Sequence, residues 1–456
     1  MLRRFLVVLP ISLAALVLNA PLRADSLDFI ACGMSEAAEA YQFGEGDDPA
    51  SYRTLGNGWT FTSSGASGLG NPAIVTWSIA PDGTDMPQGL GEPNSPSNLI
   101  SFLDGIHHGG PGPGGADLMQ RDWFSLFSTS FERWDAVSGV TFNYESNDDG
   151  VKVGSSAGQL GVRGDHRIGG HSIDGQISPT FLAYNYFPNN SDMVIDTDEL
   201  NRWGNDEGNY IRFRNMVMHE VGHGLGLNHV ESVDVDPGES GHQFGSFLME
   251  PILATVFDGP QFDDVLGAHR LYGDQYEEQG GNDISTNATS LGTLLAGQTK
   301  TLGADAADIA VAPTEIDFVS IDDDTDTDFF TFSLVAPKKI TVTLTPHGPT
   351  YLEGPQNSGK LGTQLPYVTS EFSDLNLTLI DSDGSSILEL SNDGGKGAIE
   401  RIVQYSLSAA GDYYLKVRGI QNAAQFYQLD LAAVPEPSTL LLMFTALASC
   451  SLCRRL

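Results

Sequence analysis

Cysteine and positive charge are both scarce in this chain. Three cysteines occur in 456 residues, and two of them, Cys450 and Cys453, stand in the extreme C-terminal tail. Cys32 alone remains in the body, so no intramolecular disulfide framework can form there and stability must come from packing and bound ions. Lys and Arg together number 23 against 59 Asp and Glu, a formal net charge of −36 at pH 7. That balance excludes nucleic acid and anionic membrane surfaces as partners. It suits an exported, soluble, calcium-rich setting, or simply a well-solvated surface. Long apolar runs are confined to the two ends.

Each end reads as a sorting signal. Met1-Leu2-Arg3-Arg4 is a basic start, Phe5 to Leu18 is apolar, and Leu22-Arg23-Ala24 offers a cleavage site, so residues 1–24 are expected to be a signal peptide. The apolar stretch is shorter than the roughly 20 residues of a membrane span. At the other end Val434-Pro435-Glu436-Pro437 precedes an apolar run, Leu440 to Cys453, and then Arg454-Arg455. This order, over 434–456, resembles the PEP-CTERM sorting signal of Gram-negative and related bacteria. The resemblance implies an exosortase-type sorting enzyme as partner, membrane contact only in transit, and a secreted, cell-surface or extracellular-matrix destination. A plain tail anchor is the rival reading.

The most specific feature lies mid-chain. His219-Glu220-Val221-Gly222-His223-Gly224-Leu225-Gly226-Leu227-Asn228-His229 spells H-E-x-x-H-x-x-G-x-x-H, with Met249 downstream in Ser246-Phe247-Leu248-Met249-Glu250-Pro251. Residues four apart share a helix face, so His219 and His223 can hold one ion together. Gly226 sits where the helix must end and turn back to bring in His229. Three neutral imidazoles leave a fourth tetrahedral position open, the arrangement of a catalytic zinc. Glu220 is placed to act as general base on a zinc-activated water. On the same helix Phe213, Val217, Val221 and Leu225 form an apolar stripe, and Asn215, His219 and His223 form a second stripe facing a cleft. The rival reading is a chance pattern of core histidines.

Length alone predicts two globular domains. Residues 25–69 are Gly-, Ser- and Asp-rich with weak periodicity and are expected to be irregular. Pro72 to Ile79 reads as a strand, His107-His108 as part of a Gly/Pro surface loop, and Trp123, Phe127, Phe131 and Trp134 as the apolar face of a helix. Strands are expected at Gly139 to Tyr144, Val151 to Val153 and Phe181 to Tyr186, and a last helix at Asp263 to Tyr272. This is an α+β pattern, 70–274, followed by a linker at 275–283. From 284 to 433 the pattern has period two (Ile340/Val342/Leu344, Leu375/Leu377/Leu379, Tyr413/Leu415/Val417, Tyr427/Leu429/Leu431), which predicts an all-β sandwich.

With these residues in view, the first domain resembles the metzincins, and among them the matrixins. Phe131 to Val137 with Val140-Thr141-Phe142, and Asp263 to Gly273, match matrixin patterns, and Val230 after the third histidine departs from the neighbouring subfamilies. The resemblance implies a twisted mixed sheet with an active-site helix, and a secreted zinc endopeptidase acting on protein or peptide substrates. It implies His219, His223 and His229 as zinc ligands, Glu220 as base, and Met249 as a turn beneath the metal. Leu182-Ala183-Tyr184 matches the edge strand on which substrate lies extended, and the residues from Pro251 onward match one wall of a specificity pocket. Asp174, Asp196 and Glu199 match carboxylates of a structural calcium. Matrixins also carry a structural zinc, but two of its histidine positions read Tyr184 and Val194 here. One zinc is therefore expected, with His166 and His171 as solvent-facing loop residues. Cys32-Gly33 is the one candidate for a cysteine that would keep the zinc latent, and it lacks the family's flanking Arg and Pro-Asp.

The second domain resembles the bacterial pre-peptidase C-terminal β-sandwich, through Asp326 to Phe332 and Ala410 to Val417. The carboxylates of 322–328 offer a further Ca²⁺ site or a solvated acidic loop. Against the peptidase reading stand a non-catalytic surface or matrix protein using a metzincin scaffold, and a polysaccharide-adhesion protein. An intact Glu220 argues against a pure scaffold.

Overall fold

The structure, a computed structural model, describes residues 28–29, 52–54, 56–174, 181–233, 246–278, 280–355 and 365–434. The expected signal peptide, Cys32, Gly175 and the sorting motif from Pro435 onward lie outside these residues, and so does most of 25–51. No described helix is long and apolar enough to cross a membrane.

After a two-residue strand β1 (Asp28–Phe29), the first half is built on strand β2 (Ala73–Ile79), helices α1 (Leu99–His108) and α2 (Phe124–Asp135), and strands β3 (Val140–Tyr144), β4 (His166–His171), β5 (Ala183–Asn185) and β6 (Met193–Asp196). Helix α3 (Ile211–Leu225), strands β7 (Val230–Val233) and β8 (Ile252–Leu253) and helix α4 (Phe262–Tyr272) complete it. Five strands form one sheet in the order β3-β2-β4-β6-β5. All neighbours are parallel except β5, which runs antiparallel at the edge. Parallel strands need covered faces, and the sequence supplies a cover: Trp77 on β2 stacks on Phe131 of α2 with ring centroids 4.5 Å apart. Helix α2 in turn holds α3, where Trp134 Nε1 donates to Met218 O at 2.9 Å. Phe213, Val217, Val221 and Leu225 are buried together, as their spacing predicts.

Two expectations fail here. His107 and His108 end helix α1, closed by Gly109 in the left-handed region, rather than lying in a loop. Leu99 and Leu103 are its buried apolar residues, and the Gly/Pro run that follows disguised this short apolar repeat. Residues 151–153 form no strand. The Lys152 carbonyl instead accepts from Arg167, which is locked to Asp148, so the segment serves a buried ion pair.

The second half contains strands β9 (Thr289–Thr293), β10 (Thr299–Leu302), β11 (Thr327–Leu334), β12 (Lys338–Pro346), β13 (Thr350–Pro355), β14 (Leu365–Val368), β15 (Leu375–Ile380), β16 (Ile387–Ser391), β17 (Glu400–Leu407), β18 (Gly411–Gly419) and β19 (Gln425–Ala433). One sheet runs β9-β11-β18-β15-β16 and another β10-β19-β12-β17. Alternate residues of both, including Phe330, Phe332, Ile340, Val342, Leu377, Leu415 and Leu429, meet in one core. Period two thus buries one face of each sheet.

The halves are joined by polar contacts that the sequence does not announce. Arg133 donates to Ala312 O, Pro313 O and Glu315 O. Arg270 donates to Asp322 O and to Asn422 Oδ1. His269 Nε2 donates to Val137 O while its Nδ1 meets Ser320 Oγ at 2.8 Å. A third sheet, β14-β13-β7, crosses the seam.

Candidate metal centre

Helix α3 presents His219 and His223 one turn apart. It ends at Gly226, whose φ of 104° is left-handed, with Gly226 N and Leu227 N returning to His223 O and Gly222 O. Only glycine adopts such a backbone without strain, and the reversal brings His229 back to the helix. The Nε2 atoms of His219 and His223 each lie 3.1 Å from Nε2 of His229. His219 Nδ1–H donates to Leu248 O at 2.6 Å and His223 Nδ1–H to Leu227 O at 2.8 Å. With those hydrogens committed to carbonyls, the Nε2 lone pairs of both rings converge on one point. Tetrahedral zinc with bonds of about 2.0–2.1 Å sets its ligand nitrogens about 3.4 Å apart. The donor set fits such an ion.

Electrostatics agree. Burial, and then the neighbouring His229, lower the His219 pKa to about 3, and burial holds His223 well below its ordinary value. Both stay neutral and able to ligate. Glu220, beside the first ligand, is fully buried and both carboxyl oxygens lack a hydrogen-bond partner. Burial pushes it up to about 8. A buried acid aimed at no protein donor is a functional signal.

Met249 packs against helix α3 at Gly222. A Cβ at Gly222 would come within 2.4 Å of Met249 Sδ, and one at Gly224 within 2.2 Å of Ser191 Oγ. These glycines are thus set by close approach of the turn and the sheet. Asp264 holds that turn, accepting from Leu248 N at 2.7 Å and Met249 N at 3.0 Å; burial raises its pKa to about 8. Asp264 reads in sequence only as an acid suited to a helix start. Asn215 does not face a cleft: it donates to Ala254 O and Phe257 O and accepts from Gly259 N, clamping the chain after the turn.

Residues 114–235 match the family model of the matrixins (Peptidase_M10). That match takes in helix α3 with His219, Glu220, His223 and His229. Residues 326–419 match the bacterial pre-peptidase C-terminal domain. Among solved structures, the pre-peptidase C-terminal domain of a collagenase from Bacillus anthracis is 16% identical, over 32% of this chain and 93% of that one, with a TM-score of 0.18. A β-glucosidase from Paenibacillus barengoltzii is 14% identical over 34% of this chain and 12% of that one, with a TM-score of 0.16. No curated protein matches.

The remaining expected residues are distributed around the first half. Leu182 precedes β5, and Ala183 and Tyr184 lie in it, at the sheet edge and paired antiparallel with β6; all three side chains are buried. Ile252–Leu253, just after Pro251, pairs antiparallel with Asp28–Phe29, so N-terminal chain lies along that wall. Asp174, Asp196 and Glu199 do come together, each keeping one buried oxygen without a partner. A second such group, Glu277, Asp326 and Asp328, forms at the junction of the halves. It borders a cavity of about 910 Å³ lined also by Asp283, Asp322 and Asp323.

His166 and His171 contradict the expectation of solvent-facing loops. Both lie in β4 and are 1% exposed. His166 Nδ1 meets Ser191 Oγ at 2.7 Å, and burial lowers its pKa to about 3. His171 Nδ1 lies 2.9 Å from Ser95 Oγ, and its Nε2 lies 3.3 Å from Glu92 Oε1, to which Tyr184 Oη donates at 2.6 Å. The pair of glycines in His166-Arg167-Ile168-Gly169-Gly170-His171 interrupts the apolar pattern and hid a buried strand. Tyr184 thus closes a hydrogen-bonded group where a histidine ligand would stand. Metal analysis of the purified chain should return about one zinc, lost in His219→Ala. A second tightly held zinc that survives that substitution would show that His166, His171 or other residues form a further site.

Proposed function

We propose that this chain is an exported zinc endopeptidase. The observation that carries the reading is Glu220: buried, unpartnered, and one residue from the first of three converging imidazoles. A scaffold has no use for an uncompensated buried acid beside its metal. His219, His223 and His229 would hold the zinc, which supplies Lewis acidity toward water and a scissile carbonyl. Glu220 takes the proton of the attacking water and delivers it to the departing amine, so no covalent intermediate on the protein is needed. The edge position of β5 supports substrate lying extended beside it as an added strand. Glu220→Gln should lower peptide cleavage by roughly 10³-fold or more while leaving one zinc bound. Activity within tenfold of wild type would remove the mechanism, and a wild type without chelator-sensitive cleavage would favour the scaffold or adhesion reading.

Calcium belongs to the same proposal. In both acidic groups burial acts first to raise the carboxyls, Asp196 to about 7 and Asp326 and Asp328 well above the ordinary range. A hard divalent cation with oxygen ligands relieves that cost. Calcium at 100-fold above its Kd stabilises by about 2.7 kcal/mol, so it should raise the Tm of the zinc-loaded chain by several degrees. Asp196→Asn and Asp328→Asn should each remove part of that rise. A Tm indifferent to calcium removes both sites.

Export rests on the two terminal signals, and the Pro435-Glu436-Pro437 tail supports handling by an exosortase-type enzyme that leaves the protein secreted or at the cell surface. Intact mass of the native protein should lack residues before about Asp25 and end near Pro435 or Glu436. A main species still carrying Cys450 and Cys453 would make the tail an ordinary anchor.

A further inference from the structure

The strand that leaves the third histidine has an unusual partner. Among the described residues β7, which begins one residue after His229, pairs with β13 of the second half: Leu352, Glu353, Gly354 and Pro355 lie opposite Val233, Ser232, Glu231 and Val230. The hairpin β13-β14 is therefore laid against the loop that delivers a metal ligand. It also reaches the methionine turn. The Tyr351 ring packs on Phe247 of that turn, centroids 5.0 Å apart, and on Phe262 of α4 at 6.2 Å. Its hydroxyl donates to Asp263 Oδ1 at 2.5 Å. Asp264, the next residue, takes both turn amides, and the turn's Leu248 carbonyl fixes the tautomer of His219. Val230 N donates to Met249 O at 3.1 Å and joins the two routes. Glu353, 1% exposed, faces Asp263 across the same contact.

We propose that the β13-β14 hairpin of the second half is a working part of the metal centre, with Tyr351 as a positioning residue that holds the methionine turn, and through Leu248 the His219 imidazole, in ligating geometry. The role rests on the zinc-peptidase reading for its consequence in catalysis but not for its consequence in metal binding. Outer partners that orient a metal-bound histidine change metal affinity or activity by about 10–100-fold when removed. Asp263 and Asp264 form the first turn of α4, so a displaced Tyr351 shifts the acceptor of the turn amides directly. The hydroxyl and the ring act separately: Tyr351→Phe keeps the packing on Phe247 and loses only the bond to Asp263.

The test uses the full zinc-loaded chain. Zinc transfer to a chromogenic chelator should run about tenfold faster in Tyr351→Ala and by a smaller factor in Tyr351→Phe. Amide exchange at residues 246–250 should accelerate in both, and kcat should fall more than KM rises. Ile402→Ala, in the sandwich core and not in the core that holds the turn, serves as the control that weakens the second half; below its Tm it should release zinc at the wild-type rate. Zinc release and turn exchange at wild-type rates in Tyr351→Ala overturn the proposal, as does equal acceleration by Ile402→Ala. Should Tyr351→Ala fail to fold, Tyr351→Phe decides on the same readouts. A wild type that holds zinc but cleaves no peptide overturns the peptidase reading and leaves this one to the release rates.

Discussion

Three imidazoles gathered at one point, with Nε2 of His229 3.1 Å from Nε2 of each helical ring, are an arrangement that repels itself unless a cation sits among them. Much of the first half can be read as the means of enforcing it. His219 and His223 come from one helix face, but a helix cannot supply the third donor, so the chain must reverse within three residues. Gly226 permits the reversal. The outward nitrogens of the two helical rings are then tied to carbonyls, which prevents either ring from escaping the repulsion by flipping. The second of those carbonyls belongs to the reversal itself and the first to the methionine turn. Ligand geometry therefore depends on backbone that lies outside the helix.

That dependence explains the glycines between the histidines. Gly222 and Gly224 lower helix propensity by about 1 kcal/mol each, a poor choice if the helix were only a frame. Their missing side chains admit Met249 Sδ on one side and Ser191 Oγ on another, so turn and sheet approach to contact distance. Local stability is given up for a closer approach of elements distant in sequence. A helix built from better formers would hold the histidines at the right spacing and leave the turn nowhere to sit.

The same distinction sets what could be read from the sequence. The histidines, Glu220, Gly226 and the apolar stripe from Phe213 to Leu225 were legible because their meaning is local: spacing on a helix and the end of that helix. The sandwich strands were legible because alternation is local too. The burial of His166 and His171 was not, because it depends on β4 lying between β2 and β6. Nothing within six residues rich in Gly and His records that neighbourhood. Asn215 was misassigned for a related reason. Its face of the helix was correct, but the acceptors at Ala254 and Phe257 come from chain some 40 residues away. Helix α1 escaped notice because its apolar repeat is short and the glycine that caps it opens a Gly/Pro run. The Glu277, Asp326 and Asp328 group was half visible as an acidic run in 322–328, yet its third member comes from the linker.

The linker and the hairpin together bear on how separable the halves are. A β-sandwich with its own core can fold around alternating Leu, Val and Phe without help. Nothing in that core requires Tyr351 to face the first half, or Ser320 and Asp322 to meet His269 and Arg270. Yet Tyr351 and Phe426 are buried with Phe247 and Phe262 in the core of the first half, not in that of the second. A residue carried by one domain and buried in the core of the other is what distinguishes a shared structure from a tethered one. Removing the second half would strip an aromatic layer from α4 and unpair β7, and the stretch exposed would be the one that fixes the metal ligands.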